Sequence, residues 1–269
     1  MSLLLEYPAW ISFLIICSIT VLISVTGLRF VRRRYPHEVL KENHEVAAVI
    51  FNAFGLLYAV VVAFVVFVVW NRYDEASKNL ELEASQAADL FFVAKVFPDS
   101  ISTQMRMELY NYASGVNDEE MKAMVKGEKS QKTSNSMKKI MKLFIEMDVR
   151  NLPNEPAYEE AFKRFNELAQ YRRLRIYASK NSVPDVIWMV LLAGAFITIS
   201  YTYFFGIRKI LPQNLMTAAL TITITLILYL IFILDHPFVG STSISTEPMH
   251  SVMESMQRGL NNQNNNQQK

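Results

Sequence analysis

The chain lacks several features on which soluble enzymes and disulfide-bonded domains depend. Its 269 residues include a single cysteine, Cys17, which excludes an internal disulfide and any metal site built on several thiolates. Only 19% of the residues are charged, against about 25% in soluble domains. The net charge of +2 provides no general basic excess for a nucleic-acid partner. With 51% hydrophobic residues and a mean hydropathy of +0.15, the composition predicts a membrane protein.

Residue constellations that support catalysis are also missing from the sequence. It contains no phosphate-binding Walker loop, no serine-hydrolase elbow, no zinc-protease motif and no dinucleotide fingerprint. The 4 histidines have no partner at metal-ligand spacing. The sequence therefore predicts neither an enzyme nor a site for a cofactor or a metal ion.

Long apolar runs account for much of the sequence. Four of them have the roughly 20 residues that a helix needs to cross the hydrocarbon core of a bilayer, and they cover about 9–28, 46–70, 186–207 and 215–234. None of these runs has a charged residue near its middle, which argues against a proton relay or an ion-coupled carrier. The predicted fold class is an all-α, polytopic membrane protein with four transmembrane helices.

These spans divide the chain into four parts. Residues 1–70 and 183–240 are predicted to form two transmembrane hairpins. Residues 71–182 are predicted to be a helical extramembrane region, because apolar residues recur there at alternating spacings of four and three, at Leu80, Ala84, Ala87, Phe91 and Ala94. Residues 241–269 are expected to be a polar tail that is disordered at its Asn- and Gln-rich end.

Basic residues are distributed unevenly between the ends of the spans. The short loops 29–45 and 206–213 carry seven Lys and Arg residues, whereas the segment before the first span and the one just after the last carry none. The positive-inside rule therefore predicts cytoplasmic loops, with both termini and residues 71–182 outside a cell (inner) membrane. Trp10, Trp70 and Trp188 mark span ends on the face opposite those loops.

Span two carries a stripe of small or polar residues, which we call the small-residue stripe: Asn52, Gly55, Ala59 and Ala63. Small side chains at this spacing allow another helix to approach closely, so plain helix packing is one interpretation. The other is a helix that lines a pore, in which Phe64 and Phe67 form an apolar constriction.

Several residues resemble the pattern of a known family. They lie in and just after span two, before and within span three, and after span four, and they are Gly55, Tyr58, Phe64, Trp70, Tyr73, Glu83, Ala84, Pro184, Trp188, Gly194, Asp235, Pro237, Phe238 and Gly240. Over most of residues 44–250 the chain resembles the bestrophin-like domain-of-unknown-function family of bacterial and plant four-span membrane proteins. Remote similarity to bestrophins implies a pentameric anion channel lined by span two. It also implies cytoplasmic termini, whereas the basic loops predict external ones.

Two functions follow as hypotheses. The first is an oligomeric anion channel with span two at its axis, whose partners are the lipid bilayer, further copies of the chain and small inorganic ions. The alternative is a membrane-anchored sensor or scaffold whose helical region binds a partner. Asp235 is expected to cap the following backbone or to pair with Arg172, Arg173 or Arg175.

Overall fold

The computed structural model describes residues 8–35, 44–125, 127–148, 154–205 and 207–267, and all regular secondary structure in these ranges is helical. The predicted all-α class is therefore confirmed. The α-helices of the described ranges are α1 (Ala9–Arg34), α2 (His44–Val93), α3 (Asp99–Gly115), α4 (Met121–Val125), α5 (Gln131–Glu146), α6 (Glu155–Ala178), α7 (Asp185–Tyr201), α8 (Ile210–Leu234) and α9 (Glu247–Gln267). One-turn 3-10 segments cover Ala94–Val96 and Thr202–Phe204, and a π-helical turn covers Val116–Glu120.

The chain forms two compact units. The first, the membrane unit, comprises Met1–Tyr73 and Ser182–Thr242. The second, the extramembrane unit, comprises Asp74–Asn181 and Ser243–Lys269. Helix α2 contributes residues to both units, since its helical backbone continues well beyond the apolar run that ends at residue 70.

Four helices of the described residues are long and apolar enough to cross a bilayer, and they correspond to the four predicted spans. They contain Ala9–Arg34, Ala47–Val96, Asp185–Phe204 and Ile210–Leu234. Helices suit this environment because each backbone N–H finds its acceptor within the same segment, where no water is available. The prediction of a helical membrane protein is confirmed.

The core of the membrane unit is small, and it joins α2 to α7 and α8. Its buried side chains come from α2, from α7 with the residues just before it, and from α8: Val62, Val69, Val183, Leu191, Ile231 and Leu234. Helices α1 and α8 are joined in addition by hydroxyl pairs, with Thr20 Oγ1 3.0 Å from Thr225 Oγ1 and Thr221 Oγ1 donating to Ser24 Oγ at 3.0 Å. Such interhelical hydrogen bonds hold apolar helices together where lipid offers no hydrophobic driving force.

The core of the extramembrane unit is built on the apolar seam that the sequence predicts along α2. All members of the seam are buried, as the alternating spacing requires: Leu80, Ala84, Ala87, Phe91 and Ala94. One face of α3 and the turn after it is equally buried, through Met105, Leu109, Tyr112 and Val116. The alanines in the seam leave room for the bulkier side chains of this unit.

The Asn- and Gln-rich end of the C-terminal segment, predicted to be disordered, is helical as far as Gln267. Glu247–Gln267 is a helix, and it packs against α3 within the extramembrane unit. Met249 and Met256, two turns apart, are buried, so the polar segment carries a narrow apolar stripe. Gly259 supports close packing, because a Cβ there would lie 3.0 Å from the Phe91 ring. Residues 268–269, the last of the segment expected to be disordered, lie outside the described residues.

Candidate functional site

Within the membrane unit, α2 presents two different faces. Tyr58, Val62 and Val69 point into the core. Of the small-residue stripe, Asn52, Ala59 and Ala63 are exposed, and a Cβ added at Gly55 would meet no atom within 4 Å. The stripe is therefore largely uncovered within its own protomer, with Gly55 partly covered, and its surface is available to lipid, water or another copy of the chain.

The two phenylalanines predicted to form a constriction are also outward-facing. Phe64 is 68% exposed and Phe67 63% exposed. At about 100° of rotation per residue, both lie on the side of α2 opposite its buried face. Their role in a constriction stays a prediction, because a single protomer cannot form one.

Two of the family-motif residues fit together at the contact between α2 and α7. The Tyr58 hydroxyl donates a hydrogen bond to the Leu191 carbonyl at 3.0 Å. The Tyr58 ring lies so close to Gly194 that a Cβ there would come within 2.4 Å of Cδ2. Any side chain at position 194 would force the Tyr58 ring to move, which explains in packing terms why an aromatic and a glycine occur together in this pattern.

Asp235 connects the end of α8 to the start of α7. Its Oδ1 accepts a hydrogen bond from the backbone N–H of Val183 at 2.7 Å, just before Pro184. Trp188, one turn into α7, lies edge-on to Phe232 with ring centroids 6.4 Å apart. Asp235 thus fixes the point at which the chain enters α7.

The expected pairing of Asp235 with an arginine is wrong. Arg172 and Arg175 bind carboxylates of their own unit, and Arg173 is exposed. Asp235 accepts a hydrogen bond from the backbone N–H of Val183, a residue much earlier in the chain, and does not cap the residues that follow it. The physical reason is that the backbone N–H of Val183 is buried and needs an acceptor, which Asp235 provides. The next residue, Pro184, has no N–H of its own.

The remaining motif residues shape the turn after α8. Phe238 is buried, and Gly240 adopts a φ of 81°, a left-handed conformation that glycine accepts without steric cost. Pro237 precedes them in the same turn. Tyr73, the last residue of the membrane unit's first segment, donates a hydrogen bond from its hydroxyl to the Thr242 carbonyl at 3.3 Å. These contacts give the closing motif a structural role in anchoring the end of α8.

The extramembrane unit contains a site that the sequence did not reveal, the buried ion-pair cluster, formed by Glu83, Tyr112, Glu120, Thr133, Arg172 and Arg175. Arg175 donates to both oxygens of Glu83, from Nε at 2.6 Å and from Nη2 at 2.9 Å. The same Nη2 donates to Glu120 Oε2 at 2.6 Å. Arg172 Nη2 donates to Glu120 Oε1 at 2.5 Å. The four charged members of the cluster join α2, the π-helical turn and α6.

Two neutral hydroxyls complete the cluster. Tyr112 donates to Glu83 Oε1, and Thr133 donates to Glu120 Oε1 at 2.7 Å. Two carboxylates and two guanidinium groups balance in charge, which is the condition under which buried ions are tolerated. Because every carboxylate oxygen has a donor, the cluster is a closed network rather than an open binding site.

The electrostatics of the cluster follow from burial and from these contacts. Burial alone would raise the pKa of the Glu120 carboxyl, but the Arg175 and Arg172 guanidinium groups hold that pKa below its usual range. Burial, and then the charge of Glu83, raises the pKa of the Tyr112 hydroxyl well above its usual value. Glu120 therefore stays ionised and Tyr112 stays protonated near neutral pH.

In the sequence, Glu83 is apparent only as a motif residue, and Arg172 and Arg175 only as possible partners for Asp235. A signal was present, since a glutamate within the apolar seam of α2 requires a buried cation. Glu120 carried no such signal, because the π-helical turn that buries it is not visible in the sequence.

In the described part of the chain, neither the exposed face of α2 nor the buried ion-pair cluster provides a catalytic or metal-binding arrangement. No group of three or more His, Cys, Asp or Glu residues there is placed to hold a metal ion. In the cluster, each carboxylate is neutralised by arginine rather than directed into a cavity. The arrangement can fix helices relative to each other, whereas the exposed face of α2 can contact an ion or another subunit.

Gly194→Ala is expected to destabilise the membrane unit by about 1–3 kcal/mol, because the added methyl group overlaps the Tyr58 ring. Thermal unfolding of the full-length protein in detergent measures the effect. Gly55→Ala adds the same methyl group to a helical glycine with open space and should leave the midpoint near that of the wild type. Equal midpoints for all three proteins would show that the Tyr58–Gly194 contact is not tight.

Arg175→Met is expected to cost about 3–5 kcal/mol, because it leaves two buried carboxylates with one guanidinium group. Arg173→Met removes the same charge from an exposed position two residues away and should change stability by no more than about 0.5 kcal/mol. Denaturant unfolding of the full-length chain, followed by circular dichroism, compares the two variants. Wild-type midpoints for both variants would show that the buried ion-pair cluster does not stabilise the extramembrane unit.

Solved structures share this fold. A tryptophan-to-alanine variant of a bacterial bestrophin homologue from Klebsiella pneumoniae superposes with a TM-score of 0.71 and 12% sequence identity, over 95% of this chain and 97% of that one. A leucine-to-threonine variant gives a TM-score of 0.69 at 12% identity, over 91% and 97%. The homologue phased with zinc gives 0.68 at 13% identity, over 90% and 96%. No curated protein matches the chain significantly.

The family assignment rests on the sequence itself. A model of the Bestrophin-like domain matches residues 18–249, which include all four spans in whole or in part and the extramembrane helices between them. The resemblance inferred from Tyr58, Gly194 and the segment around Asp235 is therefore confirmed. The chain belongs to the Bestrophin-like family.

Proposed function

We propose that the chain assembles into an oligomeric anion channel in which α2 lines the central axis. The observation that carries the proposal is the small-residue stripe of α2, which contains no charged residue, runs through the span and is left largely uncovered by its own protomer. Membership of the Bestrophin-like family and the fold shared with bacterial bestrophin homologues support it.

The chemistry of the stripe suits a pathway better than a lipid-facing surface. Asn52 is exposed within an apolar span, and an amide that faces hydrocarbon without a partner costs several kcal/mol, on the order of 4 or more. In a ring of subunits the same amide faces water or another subunit. Ala59 and Ala63 then leave the axis open, and the small residues allow neighbouring copies of α2 to approach.

Ion selectivity in such a pathway depends on dipoles rather than on full charges. Residues 46–70 contain no charged side chain. The amide of Asn52 can coordinate an anion through its N–H groups, and Phe67 provides an apolar constriction that gates by dewetting. The positive-inside pattern of loops 29–45 and 206–213 supports placing them in the cytoplasm of a cell in whose inner membrane the protein resides.

A thiol-blocking experiment tests the proposal. With Cys17 replaced by serine, single cysteines at Asn52, Ala59 and Ala63 should let an anionic methanethiosulfonate reagent abolish most of the chloride current of the purified protein in planar bilayers. Cysteines at Val61 and Val68 are the matched controls, since both residues are exposed on α2 but lie on a side away from the stripe. They should leave the current unchanged.

Two results would contradict the proposal. Current that is absent for the wild type in every anion or cation gradient would exclude a channel and favour the alternative of a membrane-anchored sensor or scaffold. Current that is blocked equally at the stripe and at the control positions would mean that α2 does not line the pathway with this face.

A further inference from the structure

One end of the membrane unit carries a basic surface formed by two segments that are far apart in sequence. Arg32, in the last turn of α1, donates from Nη2 to the carbonyl of Ile207 at 2.8 Å. Gly27 lies one turn earlier, where a Cβ would be 3.0 Å from the Tyr203 hydroxyl. The absence of that Cβ lets α1 lie close to the segment that follows α7, so the charges of the two segments fall on one surface.

This basic patch is defined by six cationic residues of the described ranges: Arg29, Arg32, Arg33, Arg34, Arg208 and Lys209. All except Arg32 are exposed. No acidic residue lies between 27 and 35 or between 202 and 213, and the described residues provide no ion pair to any member of the patch. Over loops 29–45 and 206–213 the sequence has seven cationic residues against three acidic ones, Glu38, Glu42 and Glu45.

The patch lies where the hydrocarbon-facing part of the unit ends. Arg29 directly follows Leu28, the last residue of the first apolar run. Exposed aromatic side chains occur at the same level, at Phe30, Tyr35 and Phe204. Aromatic rings beside cationic residues are typical of the membrane–water interface, where phospholipid headgroups lie.

Arg32 differs from the other members of the patch. While its Nη2 is bound to Ile207, its Nη1 is buried and has no hydrogen-bond partner. A buried donor without an acceptor is unfavourable, and the most suitable acceptor for a planar guanidinium group is a carboxylate or a phosphate oxygen. Because the Arg32 side chain as a whole is only partly buried, a change of its rotamer brings Nη1 to the surface, where such an acceptor lies. The five exposed cations around it attract anions and repel cations.

We propose that this patch is a binding site for the headgroup of an anionic phospholipid, with Arg32 as the residue that directs a hydrogen bond to the phosphate. The Ile207 carbonyl orients the guanidinium group of Arg32. The surrounding cations attract the net negative charge of the headgroup, including any second negative group that it carries. The site requires only that the protein lies in a membrane, so lipid binding can be tested whether or not the protein conducts ions.

Native mass spectrometry of the full-length protein in detergent tests the site, with phosphatidylglycerol and phosphatidylcholine of identical acyl chains as probes. The wild type should bind phosphatidylglycerol at least about tenfold more tightly, because both lipids have a phosphate but only one has a net charge. Arg33→Gln should weaken phosphatidylglycerol binding by about fivefold through lost charge alone. Arg32→Gln should weaken it by about a further tenfold, through the directed hydrogen bond.

Arg32→Lys separates the directed contact from folding and from charge. It keeps the cation but cannot contact Ile207 and a phosphate with one planar group, so it should lose about tenfold in affinity while unfolding at the wild-type temperature. Three results would overturn the proposal: equal affinity of the wild type for both lipids, equal losses for Arg32→Gln and Arg33→Gln, or displacement of the lipid by equimolar inorganic phosphate, which would indicate a site for free anions.

Discussion

Helix α2 belongs to both the membrane unit and the extramembrane unit, which require opposite placements of its apolar side chains. The rest of the structure depends on this one helix fitting both units. In the membrane unit its apolar residues face outward, and only a narrow band including Val62 and Val69 packs inward. In the extramembrane unit the same helix buries its apolar seam and exposes charged residues such as Glu75, Lys78 and Glu81. A single α-helical backbone satisfies its own hydrogen bonds in both settings, which is why it can continue without a break from His44 to Val93.

The extramembrane half of α2 is held by charge as well as by packing. Glu83 lies among the buried side chains of the seam, where an unpaired carboxylate would be very costly, and Arg175 neutralises it with two hydrogen bonds. Glu120 and Arg172 extend the pairing to the π-helical turn and to a second position on α6. Because the network is specific in geometry, it fixes which helices meet; apolar packing alone would tolerate alternative registers.

The parts of the structure that were predictable are those encoded in local periodicity. Run length identified the four spans, and the alternating spacing identified the buried seam from Leu80 to Ala94. The position of the small-residue stripe was also apparent, although whether Asn52 and Ala59 pack within the protomer could be seen only from the structure. The division into domains and the orientation in the membrane stay predictions.

What the sequence could not show depends on contacts between distant segments. Glu120 and Glu83 meet Arg175 from positions far apart in the chain, and no local pattern selects that pairing over one with Asp235. The C-terminal helix was missed because Met249 and Met256 are only two anchors in an otherwise polar segment. Both cases show tertiary contacts overriding local composition.

The arrangement of subunits tests the central claim most directly. Electron cryomicroscopy of the full-length protein in lipid nanodiscs should show a closed ring in which the α2 helices surround the axis, with Ala59 and Ala63 facing it. A monomer, or a dimer in which the same face of α2 contacts lipid at the perimeter, would contradict the account.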